Sequence, residues 1–439
     1  MVYLRKLGFY LGLSLTSALS HSTRTTLKNI CKNTLGCLLL TFIPPALSED
    51  IAASLSELLA KAVQEHPSVL QRVNESEAAE LDRDAAKWQR YPTVTVSAAE
   101  ASSTDVDQVS TSVQQPLWTG GRISAAISEA EAGVRVAGHS VTQAELDILV
   151  ETTARFFDLV RADRNVAIAN ANVQEHQRLF EIIERRVDAA TSPDVDEMLA
   201  LARLQYAESD AAVFAGAQDS AKGVLAQLVG EWVTSVAAPE VPEVVMMTRE
   251  GLLELILDYS PSLAALDSER DRVAAQLDAA KAQVRPQLAL AYDRRFGDIL
   301  PGQEQEKIFL QVEYTPGAGL SARSSIAAAR ARQKSADFAV EAQKRAVISQ
   351  FDILWSELQA SYRQLGPARR LVEATTEVVD SYLRQYTVGR KSWLDVLNAQ
   401  REATQARHTL VGTETSLMSA HYRLQILLGR INAVSLGAK

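Results

Sequence analysis

The sequence predicts a mostly helical protein built from two copies of one structural half, and three observations lead to this fold class. Residues 67–92 and 261–286 align without a gap at a spacing of 194 residues, and both runs end in a proline. Each run is followed by two short segments in which polar and apolar residues alternate. A long helical pattern then follows in each half. A period of this length indicates duplication of a whole half and not a small solenoid unit.

Each half is predicted to contain the same elements in the same order. The first repeat, 49–230, is predicted to hold short helices at 51–90, a β-hairpin at 93–117, a long helix at 119–189 and a return helix at 194–229. The second repeat, 250–432, is predicted to hold short helices at 250–285, a β-hairpin at 286–315, a long helix at 320–388 and a return helix at 391–429. A linker at 231–249 joins the repeats, and 433–439 form a short tail.

Two prolines mark local breaks in these helices. Ser192 is predicted to cap the first return helix, with Pro193 at its first position, where the missing N–H of proline costs nothing. Gly366-Pro367 lies inside the second long helix, where a proline removes one backbone hydrogen bond. We therefore expect a bend at this point that has no counterpart in the first repeat.

The four predicted strands each have an apolar and a polar face. The apolar set is Val94, Val96, Val109, Val113, Leu288, Leu290, Ile308, Leu310 and Val312. The polar set is Thr93, Thr95, Ser97, Ser110, Ser112, Gln114, Gln311 and Glu313. Strands of about 10 residues can cross a bilayer when tilted, and this alternation is typical of a transmembrane β-barrel with a wet lumen. Two soluble hairpins over a small core remain the alternative on this pattern alone.

The first long helix carries the pattern of a coiled coil. Apolar residues recur at steps of four and three, namely Ile123, Ile127, Ala130, Val134, Ala137, Val141, Ala144 and Ile148. At 1.5 Å per residue, a helix of this length spans on the order of 100 Å. Such a helix is longer than those of ordinary globular domains.

With this order of elements, two local motifs resemble the TolC family of outer membrane channel proteins. Residues 115–122 read QPLWTGGR at the first junction between strand and helix, and residues 386–400 read YTVGRKSWLDVLNAQ at the second helix turn. The resemblance covers about Ile51 to Asn432. It implies a homotrimer in which each subunit gives four strands to one 12-stranded barrel, which continues into a periplasmic α-barrel. The need for partners agrees with the strand count, because an open sheet edge in lipid leaves backbone groups unpaired.

The resemblance also implies a gate at the periplasmic helix turns. The gate residues implied by the matching positions are Asp395, Asn398, Tyr386, Lys391 and Asp196. Asn398 stands where the family has a second aspartate, and Lys391 lacks the bidentate fork of the family's arginine, so we expect a weaker acidic ring and a weaker lock. The alternative is that Asp395 and Asp196 are acidic residues favoured at helix N-termini.

The same resemblance implies that a periplasmic adaptor protein docks at the two helix turns. The matching positions are Thr191, Ser192 and Pro193 in the first turn, and Gly389 and Arg390 in the second. The first turn, Ala189 to Pro193, departs from the family's usual sequence. The resemblance therefore leaves the identity of the adaptor open.

The N-terminal segment 1–48 is predicted to be an export signal or leader. It carries five basic and no acidic residues, two apolar stretches, and both cysteines, Cys31 and Cys37. Without it, 45 − 5 = 40 basic residues face 54 acidic ones, a net charge of −14, which argues against nucleic acid as a partner. The loop acids Asp105, Asp107, Asp298, Glu304 and Glu306 are candidates for an outer mouth or for an ordinary solvated loop.

No motif of an enzyme stands out. The six histidines are scattered, and phosphate-binding loops, nucleophile elbows and HExxH are missing, so we expect no catalytic residue, metal site or cofactor. The resemblance implies a passive outer membrane exit duct that opens towards an adaptor and an inner-membrane transporter, expected to be of the ABC type. We expect type I protein secretion. Small-molecule or drug efflux is the alternative, and a coiled-coil scaffold without a channel is the alternative of another class.

Overall fold

A computed structural model describes residues 53–101, 106–240, 248–297, 304–315, 317–319 and 321–437. The first repeat consists of α1 (Leu55–Glu65), α2 (Pro67–Trp88), β1 (Thr93–Ala101), β2 (Val106–Trp118), α3 (Arg122–Asp188) and α4 (Asp194–Val229). The second consists of α5 (Arg249–Tyr259), α6 (Pro261–Ala282), β3 (Gln287–Gly297), β4 (Glu306–Glu313), α7 (Ser321–Thr387) and α8 (Trp393–Leu427). The expected leader at 1–48 and the loop acids Asp105 and Asp298 lie outside the described residues.

The short helical segment of each repeat is divided in two by a proline. Pro67 and Pro261 each occupy the first turn of a new helix, where the missing N–H of proline leaves no helical hydrogen bond unmade. Ser54 starts α1 with a capping box, in which its side chain bonds the backbone of Glu57 and the Glu57 carboxylate bonds the backbone of Ser54. The matching break in both repeats supports their common origin.

The four strands form one antiparallel sheet in the order β1-β2-β3-β4. The central ladder, between β2 and β3, joins the two repeats and pairs Val113 with Tyr292. Within the described residues, the outer edges of β1 and β4 have no strand partner. The ladder is irregular between Pro116 and Trp118, because the proline nitrogen cannot donate a hydrogen bond.

The register confirms the predicted division into two faces. Val94, Val113, Tyr292 and Ile308 lie in one row across the sheet, and the exposed side chains of β4 on this face are Ile308, Leu310 and Val312. On the other face the Ser112 hydroxyl donates to Asp293 at 2.7 Å, and the Lys307 ammonium lies 3.6 Å from the same carboxylate. Glu306, expected in the loop, lies in β4 and accepts a hydrogen bond from the Tyr292 hydroxyl at 2.9 Å.

The helices form a layer in which α3 is central. On the side of the sheet its neighbours are α2 and α6, and α7 packs beyond α6. On the side of the helix turns its neighbours are α4 and α8, and α7 packs beyond α8. The layer therefore ends at α2 and α4 on one side and at α7 on the other. None of the helices in the described ranges is long and apolar enough to span a membrane.

The main cores lie where the short helices meet the long ones. In the first, α1, α3, α4 and α8 bury Phe156, Phe157, Leu59, Leu225 and Met418. In the second, α5, α7 and α8 bury Ile256, Phe351, Leu354 and Leu417. The return helices α4 and α8 are much shorter than α3 and α7, and α1 and α5 pack in these cores at the ends of the return helices.

Gly120 fixes the passage from β2 into α3. Its φ of +62° is a left-handed conformation, its carbonyl accepts a hydrogen bond from Arg285 at 2.9 Å, and an added Cβ would lie 2.6 Å from Arg285 Cβ. Both the conformation and the space therefore require glycine.

We predict that Gly120→Ala lowers the free energy of unfolding by about 2 kcal/mol, because it adds left-handed strain and a steric clash. Gly133→Ala is the matched control, since Gly133 lies within α3 with nothing within 4 Å of an added Cβ. It should raise stability by up to about 1 kcal/mol. Thermal unfolding followed by circular dichroism in detergent tests both, and equal effects of the two substitutions would contradict the prediction.

Candidate functional site at the helix turns

The turns α3–α4 and α7–α8 use the same hydrogen-bonded motif. In the first, the N–H of Thr191 donates to the Arg186 carbonyl and that of Ala190 to the Val187 carbonyl, both at 2.8 Å. In the second, the N–H of Arg390 donates to the Gln385 carbonyl at 2.9 Å, and the N–H of Gly389 donates to the Tyr386 carbonyl at 3.0 Å. This is the Schellman motif, whose penultimate position takes a left-handed conformation.

The two turns differ in the residue at that left-handed position. Gly389 has a φ of +73°, and Ala190 has a φ of +55°. Among the described residues, Ala190 is the only one other than glycine with a positive φ. Alanine in this conformation costs roughly 1–2 kcal/mol relative to its usual backbone. The first turn therefore holds strain that the second turn does not.

The return helices begin in different ways. Ser392 caps α8 with a capping box, in which the Asp395 N–H donates to the Ser392 hydroxyl oxygen at 3.2 Å and the Ser392 N–H donates to the Asp395 carboxylate at 3.1 Å. The Ser392 hydroxyl also donates to the same carboxylate at 2.8 Å. Sequence analysis placed Ser192 as the cap of α4 and Pro193 at its first position, and this was wrong. Pro193 itself is the N-cap and makes no side-chain capping bond, because the Ser192 hydroxyl is engaged by side chains of both repeats.

Tyr386 and Ser192 join the two repeats at these turns. The Tyr386 hydroxyl lies 3.1 Å from Ser192 Oγ, to which Arg186 Nε also donates at 3.4 Å. The Arg186 guanidinium lies 4.9 Å from the centre of the Tyr386 ring, a cation–π distance. The Trp393 ring packs against the Tyr386 ring, with the two ring centres 5.2 Å apart.

An apolar cluster from all four helices surrounds this contact. We call it the turn cluster, and its buried members are Leu179, Ile183, Ala200, Tyr386, Trp393, Val396 and Leu397. Burial of one side chain such as Leu179 contributes about 2 kcal/mol, whereas an exposed ion pair contributes less than about 1 kcal/mol. Within one chain, the two turns are therefore held together mainly by apolar burial.

The predicted polar gate residues surround this cluster. Lys391 places its ammonium 4.2 Å from the centre of the Tyr382 ring, and in the described part of the chain no ion pair joins it to the half-buried Asp196. Asn398 is exposed, one helical turn beyond Asp395. Hydrogen bonds from the Ser392 hydroxyl and N–H, with the nearby Lys391 ammonium, hold the pKa of Asp395 below its usual value. Asp395 is therefore ionised at neutral pH.

The residues of the predicted docking turns are largely open to solvent. Thr191 is exposed, although its hydroxyl donates to the Arg186 carbonyl at 2.9 Å, and Pro193 is also exposed. Gly389 and Arg390 are exposed in the second turn. Next to them, Val195 and Val388 are apolar side chains with exposed fractions of 70% and 68%. The two turns thus offer a mixed surface, which is acidic in the first turn, where Asp188 and Asp194 are exposed, and cationic in the second, where Arg390 is exposed.

Sequence analysis did not find Trp393, Arg186, Leu179 and Ile183 as members of the site. The spacing of Trp393, Val396 and Leu397 marks one apolar helix face, and this signal could have identified Trp393. Its partners lie about 210 residues earlier in the chain, so no local pattern connects them. Among the described residues, no group of three His, Cys, Asp or Glu side chains is placed to hold a metal ion.

A family model described as outer membrane efflux protein matches residues 58–231 and 252–430. The chain belongs to this family. The protein is therefore an export channel of the outer membrane whose helical part extends into the periplasm, and it is not an enzyme. The two matched ranges fall on the two structural repeats, and the mostly helical, duplicated fold class is confirmed.

Three similar proteins place this efflux channel among its relatives. It is 25% identical over 330 residues to the cobalt-zinc-cadmium resistance protein CzcC of Cupriavidus metallidurans, covering 72% of this chain and 75% of the relative. It is 21% identical over 338 residues to the outer membrane efflux protein BepC of Brucella suis, covering 74% of this chain and 72% of the relative. The solved structure of the outer membrane protein VceC from Vibrio cholerae aligns with a TM-score of 0.74 at 19% identity, covering 85% of this chain and 96% of VceC.

We predict that Ala190→Gly stabilises the channel and that Gly389→Ala destabilises it, each by about 1 kcal/mol, because both turns require a left-handed residue. Hydrogen exchange of the peptides spanning residues 183–197 and 383–397 should show slower exchange in the first variant and faster exchange in the second. Opposite or equal changes would mean that the backbone of the turns differs from the one described.

Proposed function

We propose that the protein is the passive exit duct of a tripartite export system, in which a homotrimer forms the channel and a periplasmic adaptor and an inner-membrane transporter engage its helix turns. The observation that carries this proposal is the position of the open edges. The sheet ends at β1 and β4, and the helix layer ends at α2 and α4 on the side of β1 and at α7 on the side of β4. Each copy thus has two different edges that fit each other head to tail.

The side chains on these edges support such a ring. The strip on α7 consists of exposed, mostly apolar or small residues in two runs with steps of three and four, namely Ala346, Ser349, Ile353, Ser356 and Ala360 before Pro367, and Leu371, Ala374 and Val378 after it. The exposed strip on α4 consists mainly of small residues, with larger ones between them, namely Met198, Ala202, Tyr206, Ser209, Ala212, Val213 and Gly216. Larger side chains facing small ones allow helices of neighbouring copies to interlock. A head-to-tail contact repeated around an axis closes into a ring.

The sheet requires the same closure. Its apolar face suits lipid and its other face carries Ser, Thr and charged side chains, but two open strand edges in lipid would each leave a row of backbone groups unpaired. Three copies, as the resemblance to the TolC family implies, give 3 × 4 = 12 strands. The charged face would then line an aqueous lumen.

The helix turns supply the gate of this duct. In a trimer, three Asp395 carboxylates, ionised at neutral pH, would make an acidic ring at the turn end, with Asn398 one turn behind. Such a ring favours cations over anions. Opening requires the turn cluster to part, and an adaptor bound to the exposed turns at Thr191 and Arg390 is placed to drive it.

The cargo we propose is small solutes or cations. Of the two curated relatives, one is described as a cobalt-zinc-cadmium resistance protein and the other as an outer membrane efflux protein. Type I protein secretion, with a transporter of the ABC type, is the second cargo class and was the one expected from sequence. Deleting the gene separates the two classes. Sensitivity to divalent cations or drugs supports efflux, and loss of a secreted protein without such sensitivity supports secretion.

We predict that Ile353→Asp prevents trimer formation, because it places an unpaired carboxylate in the helix interface. Ile353 is 67% exposed in a single chain, so the protomer itself should still fold. Gln405→Asp is the control, since Gln405 is exposed on α8, which lies between α7 and α3 of its own chain. Mass photometry in detergent should show at least a tenfold loss of trimer for the first variant. An unchanged trimer fraction would exclude this edge as the interface.

We predict that the purified wild-type protein gives a small, cation-selective current in a planar bilayer. Asp395→Asn should reduce the cation preference by removing the acidic ring. Tyr386→Phe should raise the mean conductance by removing the bond to Ser192, while Tyr362→Phe, a half-exposed tyrosine of α7, should not. No current from any of these folded proteins would favour the coiled-coil scaffold over the duct.

A further inference from the structure

The boundary between the two repeats, formed by α3 and α8, is apolar at the turn end and polar further along. Beyond the turn cluster, Asn172 Oδ1 accepts hydrogen bonds from Gln400 Nε2 at 3.3 Å and from Thr404 Oγ1 at 2.9 Å. One further step along, His408 Nδ1 lies 2.8 Å from Asn165 Oδ1. We call these three contacts the polar seam. It runs along α3 and α8 towards the membrane side of the molecule.

The other boundary of α8, with α7, is different. It is formed by apolar side chains, with Val379 packed on Ala399 and Ala403, and with Phe351 and Leu354 in one cluster with Leu417. When two helices separate, the apolar surface between them is exposed to water and the stabilisation from its burial is lost. A hydrogen bond between side chains, in contrast, can be replaced by one with water at little net cost. The helix pair α7–α8 therefore holds together more firmly than α8 holds to α3 along the polar seam.

The polar seam ends at an ion triad that links three helices. Glu414 of α8 accepts a hydrogen bond from Arg164 of α3 on one carboxylate oxygen and from Arg369 of α7 on the other, both at 3.1 Å. Its side chain is only 17% exposed, while those of Arg164 and Arg369 are 35% and 55% exposed. A shielded carboxylate between two guanidinium groups is a stronger link than an exposed pair.

The triad coincides with the weakest point of α7. Pro367 lies two residues before Arg369 inside α7, and it removes one backbone hydrogen bond of the helix. By the helical rise, both lie about 30 Å from the turn. Between this point and the helix turn, α7 can bend away at the proline and α8 can separate from α3 along the polar seam. At this level Glu414 holds α7, α8 and α3 together.

We propose that Arg164 and Glu414 are positioning residues of the gate, which fix the point about which the turn-proximal parts of α7 and α8 move together away from α3. This inference rests on the proposed gated duct. The link that matters is the one between the repeats, from Arg164 to Glu414. The link from Arg369 to Glu414 lies within the moving helix pair and does not hold it to α3.

The geometry predicts an order of effects among single substitutions. Arg164→Gln removes the bond between the repeats and leaves Arg369 on Glu414. Glu414→Gln removes both ion pairs and leaves two guanidinium groups facing each other across α8, so their repulsion adds to the loss. Arg369→Gln keeps the bond between Arg164 and Glu414. Opening should therefore increase in the order Arg369→Gln, Arg164→Gln, Glu414→Gln.

The test is single-channel recording of the full-length trimer, combined with hydrogen exchange. We expect mean conductance near the wild-type value for Arg369→Gln, at least threefold higher for Arg164→Gln and higher again for Glu414→Gln. Exchange should rise in the segment 370–412 and stay unchanged in 325–355, which lies on the other side of Pro367. Arg164→Lys, which keeps the charge, should restore much of the wild-type behaviour.

Glu357→Gln is the matched control, because Glu357 of α7 pairs with Arg423 of α8 at 3.5 Å, and among the described residues no ion pair joins Glu357 to α3. It removes one carboxylate and one ion pair, so a merely structural effect would appear in it as well. Equal conductance and exchange in Arg164→Gln and Glu357→Gln would overturn the inference while leaving a conducting wild-type duct intact. Absence of current in the wild type would instead refute the duct itself.

Discussion

The hydrogen-bonded ladder between β2 and β3 determines how the two repeats stand beside each other. It is the place where the sheet passes from one repeat to the other, and its register also fixes where α3 leaves the sheet and where α6 arrives. The contact of Arg285 with the Gly120 carbonyl ties those two points together at the base of the ladder. The lateral order of the long helices follows from this start, because α6 separates α3 from α7 on the side of the sheet and α8 keeps the same order on the side of the turns.

At the opposite end, the contact between the repeats is of another physical kind. The turn cluster excludes water from Tyr386 and Trp393, but within the described residues the buried indole N–H of Trp393 has no hydrogen-bond partner. Such an unpaired group costs about 1–3 kcal/mol, which offsets part of the apolar gain. When the turns part, water can bind this N–H. The unpaired N–H therefore lowers the free-energy cost of opening by about this amount, while apolar burial still favours the closed arrangement.

Sequence patterns that repeat with a fixed period were sufficient to predict much of the fold. The duplication, the alternation of Val94 to Val96 and the long helical runs each follow from local spacing. The details of the turns could not be predicted, because they depend on contacts between distant segments. Lys391 lies over the ring of Tyr382, and Ser192 binds Tyr386 and Arg186 instead of capping α4. The left-handed Ala190 was also missed, since glycine is the usual signal for that conformation.

Within the described residues the outer edges of β1 and β4 are unpaired, and this has a consequence for how the proposed trimer would form. A single copy carries an apolar sheet face and two strand edges that can pair with any other extended chain. A single copy is therefore prone to aggregate until its edges are covered. If the channel assembles as proposed, strand pairing between copies must accompany entry into the lipid. The amount of assembled channel would then depend on the rate at which copies meet, as well as on the rate at which they are synthesised.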